Sequence, residues 1–77
     1  MRLLIVEDEK QICDMVAKRL YDSGYEVDTC YDGEDALEYI LAENYDLIVL
    51  DLNLPGMDGM ELLKELRKYN DETKVLI

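Results

Sequence analysis

Glu7 and Asp8 follow directly on the apolar run Leu3-Leu4-Ile5-Val6, and Asp51 follows directly on Leu47-Ile48-Val49-Leu50. Both runs are short, continuously apolar and rich in β-branched residues, the pattern of strands buried on both faces of a parallel sheet. Parallel strands present their carboxyl ends on one side, and open α/β sheets bind ligands there. Three carboxylates gathered at that edge repel one another unless a hard cation neutralises them. Mg²⁺ suits such a set, because it takes one or two carboxylates and completes its shell with waters and phosphate oxygens. The residue types therefore point to a shared site for one metal ion and one phosphate.

Each piece is weak alone. An acid at the end of an apolar run is most often the first solvated residue of a loop. Glu7 and Asp8 also stand just ahead of a helical segment, where negative charge is stabilised by about 0.3–1 kcal/mol. Their occurrence at equivalent ends of two strands lifts them above that background. Asn53 lies two residues after Asp51 and precedes a Pro55-Gly56 turn that can aim its backbone carbonyl inward. Gly59 falls close to the same site, where a side chain would crowd the backbone. The chain has no His, its lone Ser23 has no catalytic partner, and no Gly-rich phosphate loop is present.

The segments between the acids alternate in type. Arg2–Val6 is predicted to be a strand. From Lys10 to Asp22, Ile12, Val16 and Leu20 recur at helical spacing with Cys13, Met15 and Ala17 beside them. Gly24 is expected to end that helix as a left-handed cap. Tyr25–Cys30 alternates as a second strand, and Asp32-Gly33 turns the chain. Glu34–Glu43 is predicted to be a second helix through Ala36, Leu37, Ile40 and Leu41, and Asp46–Leu50 a third strand. Asp58 and Glu61 resemble a capping box. Leu62, Leu63, Leu66 and Tyr69 stripe the helix that follows, with Met57 and Met60 expected to fill core gaps. Asn70–Thr73 is polar and loop-like, and Lys74–Ile77 opens a fourth strand. A βαβαβαβ order implies a parallel sheet with right-handed crossovers.

With 77 residues there is room for one domain. A chain of this size buries only about 60% of its unfolded surface, so its stability is marginal. Eight basic against nineteen acidic residues give a net charge of −11, a surface that repels nucleic acid and anionic membranes. The apolar fraction of 49% is too high for a disordered acidic tail. No apolar run approaches the ~20 residues of a membrane helix, and no signal peptide is visible, so a cytoplasmic location is expected. Cys13 and Cys30 are expected to be reduced and buried. The tyrosines are scattered, as packing residues rather than a base-stacking array.

The stretch Leu4-Ile5-Val6-Glu7-Asp8-Glu9, followed by Asp51-Leu52-Asn53-Leu54-Pro55-Gly56-Met57-Asp58-Gly59, closely resembles the receiver domain of two-component response regulators. The resemblance runs through the whole chain in order. It implies a flavodoxin-like (CheY-like) sheet of strand order 2-1-3-4. It also implies that Asp51 accepts a phosphoryl group from the phospho-histidine of a sensor kinase. Mg²⁺ would be held by Asp8 directly, by Glu7 mainly through water, by Asp51 and by the Asn53 carbonyl. The chain would be a phosphoacceptor rather than an enzyme, in a parent that regulates transcription through another domain.

Receivers of this family also carry a Ser or Thr after strand four and a Lys after strand five. The 77 residues are therefore expected to be the N-terminal part of a receiver, stopping within strand four. An unpaired strand-four edge is a template for pairing. Self-association is expected, with Val75, Leu76 and Ile77 at the contact. A flavodoxin-type cofactor binder is the rival reading, and the acids of Glu7-Asp8-Glu9 oppose it by repelling a flavin phosphate. A self-assembling fragment without signalling activity is the other.

Overall fold

The computed structural model describes residues 1–70 and 72–77. The elements are β1 (Arg2–Val6), α1 (Lys10–Asp22), β2 (Glu26–Cys30), α2 (Gly33–Ala42), β3 (Leu47–Leu50), α3 (Gly59–Tyr69) and β4 (Lys74–Leu76). They match the predicted order, with boundaries moved by one residue at β2, α2, β3 and β4. The sheet is parallel throughout and ordered β2-β1-β3-β4. Right-handed crossovers in that order place α1 on one face and α2 with α3 on the other.

Alternation along β1 serves both faces. Leu4 and Val6 join Ile48, Leu50 and Cys30 under α2 and α3, where Ala36, Leu62 and Leu66 close the main core. Leu3 and Ile5 point to the α1 side, where the buried Cys13 thiol contacts the Ile5 carbonyl at 3.9 Å. Both cysteines are free and buried. A groove of about 370 Å³ remains on the α1 side, lined in part by Ile12, Val16 and Val49.

The caps explain where the helices stop and start. Gly24 (φ +98°) ends α1 in the left-handed region. The Gly24 amide bonds to the Tyr21 carbonyl and the Tyr25 amide to the Leu20 carbonyl, the paired bonds of a Schellman motif. Asp32 caps α2 by accepting from the Asp35 amide at 2.8 Å. Asp58 caps α3 by accepting from the Glu61 amide at 2.9 Å.

Several packing expectations are corrected. In α1 the inward face is Cys13, Val16, Ala17 and Leu20, while Ile12 and Met15 are exposed. The helix lies on two strands, so only its central stripe meets the sheet. Leu41, Met60 and Tyr69 are also exposed, at the outer edges of their stripes. Asp71, in the polar segment expected at Asn70–Thr73, lies outside the described residues; Thr73 in that segment is buried and its carbonyl accepts from Arg67 at 2.7 Å. In β4, Val75 packs against the core, whereas Leu76 and Ile77 are exposed.

A polar clasp closes the amino-terminal ends of the strands. Asp28 Oδ2 accepts from Arg2 at 2.9 Å and from the Tyr45 hydroxyl at 2.6 Å. The Arg2 amide donates to Asp46 at 2.7 Å and its guanidinium reaches Glu43 at 3.1 Å. Burial pushes the Asp28 carboxyl upward, but the bonds from Tyr45 and Arg2 outweigh it and hold the group below its ordinary value. A depressed carboxylate stabilises the fold above its unfolded value, near 4. That contribution fades as pH falls through the lower folded value. Asp28→Asn is expected to cost about 1–2 kcal/mol at neutral pH and progressively less below pH ~4, read from urea unfolding across pH.

Candidate functional site

Register builds the site. Val6 pairs with Cys30 on one side and with Leu50 on the other, so three strands end level. The ladder runs one step further: the Glu7 amide donates to the Cys30 carbonyl and the Asp51 amide to the Val6 carbonyl. Glu7 and Asp51 thus leave the sheet side by side. Carboxylate oxygens of Glu7, Asp8 and Asp51 all lie within 4.8 Å of one another. Glu7 and Asp51 are half-buried and Asp8 is exposed. Among the described residues, no Lys or Arg is ion-paired with any of the three.

The electrostatics follow from that crowding. The Asn53 amide donates to Asp51 Oδ1 at 3.0 Å and holds the Asp51 carboxyl below its ordinary value, with further help from Glu7. The same pairing acts in the opposite sense on Glu7. Its hydrogen bond to Asp51, burial and the neighbouring charges push Glu7 up to about 7. The donor set is all oxygen, anionic and short of positive charge, which fits a hard divalent cation. The residues available to hold Mg²⁺ are Glu7, Asp8 and Asp51.

The loop from Asp51 to Asp58 shapes the other wall. Asn53 is exposed and turned back on Asp51 by its amide. Pro55 is exposed, and Gly56 beyond it adopts φ +72°, which the chain reversal requires. Gly59 is buried at the start of α3. A Cβ there would stand 2.5 Å from the Leu52 Cα and 2.8 Å from the Asp51 carbonyl oxygen, so α3 begins flush against the loop. Val75, Leu76 and Ile77 do not join the acidic cluster.

Sequence reasoning passed over Gly33, which it read as a simple turn. Gly33 is the first residue of α2, is buried, and faces the Met57 carbonyl so closely that a Cβ would collide with it. The visible signal was a glycine directly after a capping Asp, a position where many residues are tolerated. A hollow of about 200 Å³ at the opposite end of the sheet is lined by Ile40, Tyr45, Leu66 and Tyr69 among others. Among the described residues, the only group of three or more acids, His or Cys close enough to share an ion is the one at the β1 and β3 ends.

Residues 3–77 match the response regulator receiver domain. The chain belongs to that family. The receiver is 49% identical over 76 residues to the transcriptional regulatory protein DltR of Streptococcus agalactiae, covering 99% of this chain and 34% of that protein. It therefore spans about a third of the length of the curated relatives it matches. Among solved structures it resembles the response regulator TrrA of Thermotoga maritima in complex with Mg²⁺-BeF (TM-score 0.89, 40% identity, 96% of this chain and 64% of that one). It also resembles TrrA in complex with the histidine kinase ThkA (TM-score 0.87, 40% identity, 96% and 64%). These likenesses bear out the expected receiver family and its 2-1-3-4 sheet. No helix among the described residues is long and apolar enough to cross a membrane.

The site's charge has a measurable consequence without any metal. Glu7 binds its proton up to about pH 7 in the folded receiver but loses it near 4.5 when unfolded. The unfolded state thus holds fewer protons between those values, and stability falls as pH rises through the window. Urea unfolding in chelator is expected to show this decline, and Glu7→Gln is expected to flatten it and to raise stability at pH 8.

Proposed function

We propose that this receiver accepts a phosphoryl group on Asp51 in a Mg²⁺-dependent phosphorelay. The observation that supports it most is the convergence of Glu7, Asp8 and Asp51 at the level ends of β1 and β3. A carboxylate is a competent nucleophile for forming an acyl phosphate. Asp51 is held ionised by the Asn53 amide on Oδ1, which leaves Oδ2 without that tether for attack on phosphorus. The new bond joins Asp51 oxygen to phosphorus as the bond to the donor's nitrogen breaks, and the donor leaves with its electron pair. Mg²⁺, when bound, offsets negative charge on the transferring group. Asp8 and Asp51 are the direct ligands in this reading, Glu7 acts mainly through water, and the Asn53 carbonyl completes the protein set.

The donor is a phospho-histidine of a sensor kinase, a reading supported by the kinase complex of the similar TrrA. A transcriptional role for the whole protein is supported by the likeness to DltR. The chain itself is an acceptor in this reading, not a turnover enzyme. Its acidic surface leaves contact with DNA to another part of the protein.

Incubation with a small acyl-phosphate donor and Mg²⁺ should add a single phosphoryl group, placed by mass spectrometry on Asp51. Asp51→Ala and removal of Mg²⁺ with chelator should each abolish the label. Modification of a different acid, or none, would overturn the proposal. Mg²⁺ should also stabilise the fold, by about 2.7 kcal/mol at 100 times its dissociation constant, and Asp8→Asn should remove most of that gain.

A further inference from the structure

The acidic site is gripped from a direction that none of its ligands reveals. The loop Leu52–Asp58 lies between the start of α3 and the start of α2. On the α3 side, the bare Gly59 backbone fits against Leu52, and the Gly59 amide donates to the Leu52 carbonyl at 3.2 Å. On the α2 side, Gly33 meets the Met57 carbonyl oxygen, and a Cβ there would also stand 3.0 Å from the Met57 carbonyl carbon and Cβ. The obstruction is mainly backbone, so it cannot swing aside as a flexible side chain would.

Neither partner is free to retreat. Asp32 caps the helix at Asp35, and Ala36, one turn after Gly33, is fully buried in the core. Met57 packs partly buried against that same core, and Leu54 is buried beneath the loop. Beside Gly33, Glu34 places Oε1 2.8 Å from where a Gly56 Cβ would stand. Two glycines, one at the start of each helix, thus face loop backbone and set the depth of the segment that holds Asn53 against Asp51, whereas the Glu34 tip near Gly56 can swing aside.

We propose that Gly33 is a positioning residue for the acidic site. By leaving α2 bare at the Met57 carbonyl, it sets how deep the loop seats and so where Asp51 and Asn53 stand relative to Glu7 and Asp8. The metal part of this inference rests on the Mg²⁺ reading above. Displacing groups that orient metal ligands costs about 10–100-fold in affinity. A residue that served stability alone would lower the melting temperature and leave affinity untouched.

Amide NMR of the 77-residue chain, with Mg²⁺ titration well below the melting temperature, separates the two. Gly33→Ala is expected to keep the sheet resonances, move those of Asn53, Met57 and Gly59 without metal, and weaken Mg²⁺ binding about tenfold or more. Gly24→Ala is the control, since it strains a φ of +98° at the far end of α1 where nothing lies within 4 Å. It is expected to lower stability with Mg²⁺ affinity unchanged. If Gly33→Ala behaves like that control, the proposal is overturned. Should Gly33→Ala not fold, Met57→Gly keeps the opposing carbonyl but removes the partly buried side chain that helps to seat the loop, and unchanged affinity with unmoved loop resonances there overturns the proposal equally. If the unsubstituted chain gives no saturable Mg²⁺ shifts at Glu7, Asp8 and Asp51, the metal reading fails. The metal-free loop resonances of Gly33→Ala, or of Met57→Gly in its place, then decide the positioning role: displacement supports it and no displacement refutes it.

Discussion

Everything at the functional end depends on three parallel strands ending level. Val6, Cys30 and Leu50 share one register, and the backbone ladder continues one step past them to Glu7 and Asp51. A slip of one residue between β1 and β3 would turn every side chain to the other face of the sheet. It would bury charge and separate the two acids. The observed register packs Leu4, Val6, Ile48 and Leu50 against Leu62 and Leu66 in one core and keeps the flanking Arg2 and Glu7 at its two ends. The register that packs the core is the register that gathers the carboxylates.

The gathered charge has a cost that the fold bears in a defined way. No basic side chain among the described residues neutralises the cluster, and the hydrogen bond to Asp51, burial and the neighbouring charges push the Glu7 carboxyl above its ordinary value. The crowding of like charge at Glu7, Asp8 and Asp51 thus works against folding as pH rises past the Glu7 value. This contrasts with the amino-terminal ends of the strands, where Arg2 bonds Asp28 and Glu43 and the Tyr45 hydroxyl donates to Asp28, so that these carboxylates have donors within the chain. One end of the sheet is clasped by its own residues. At the other end the three acids have no basic partner among the described residues.

The loop between β3 and α3 links the two halves of the site's physics. It carries Asn53 to Asp51, and it is seated both by the bond from the Asn53 amide to the Asp51 side chain and by close backbone contacts at Gly33 and Gly59. Glycines at those contacts allow helices to approach the loop closely enough to fix it.

The sequence alone determined the element order, because each apolar pattern has one period and α2 and α3 begin at capping aspartates. The strands at Leu3–Val6 and Leu47–Leu50, the capping aspartate at Asp58 and the cap at Gly24 are local facts of the chain. So is the chemistry of Glu7, Asp8 and Asp51, since acids at the ends of apolar runs can be read without coordinates. The resemblance to receivers rests on the same local motifs. Tertiary structure decided what depends on contact between distant segments. It left Ile12, Met15, Leu41, Met60 and Tyr69 outside the core, because a helical stripe says nothing about how wide a face its neighbours cover. It joined Asp28 to Tyr45 and Arg2, residues with no shared sequence pattern. It also turned Gly33 from an ordinary turn residue into a backbone contact with Met57, since close approach of two main chains is invisible until both are placed.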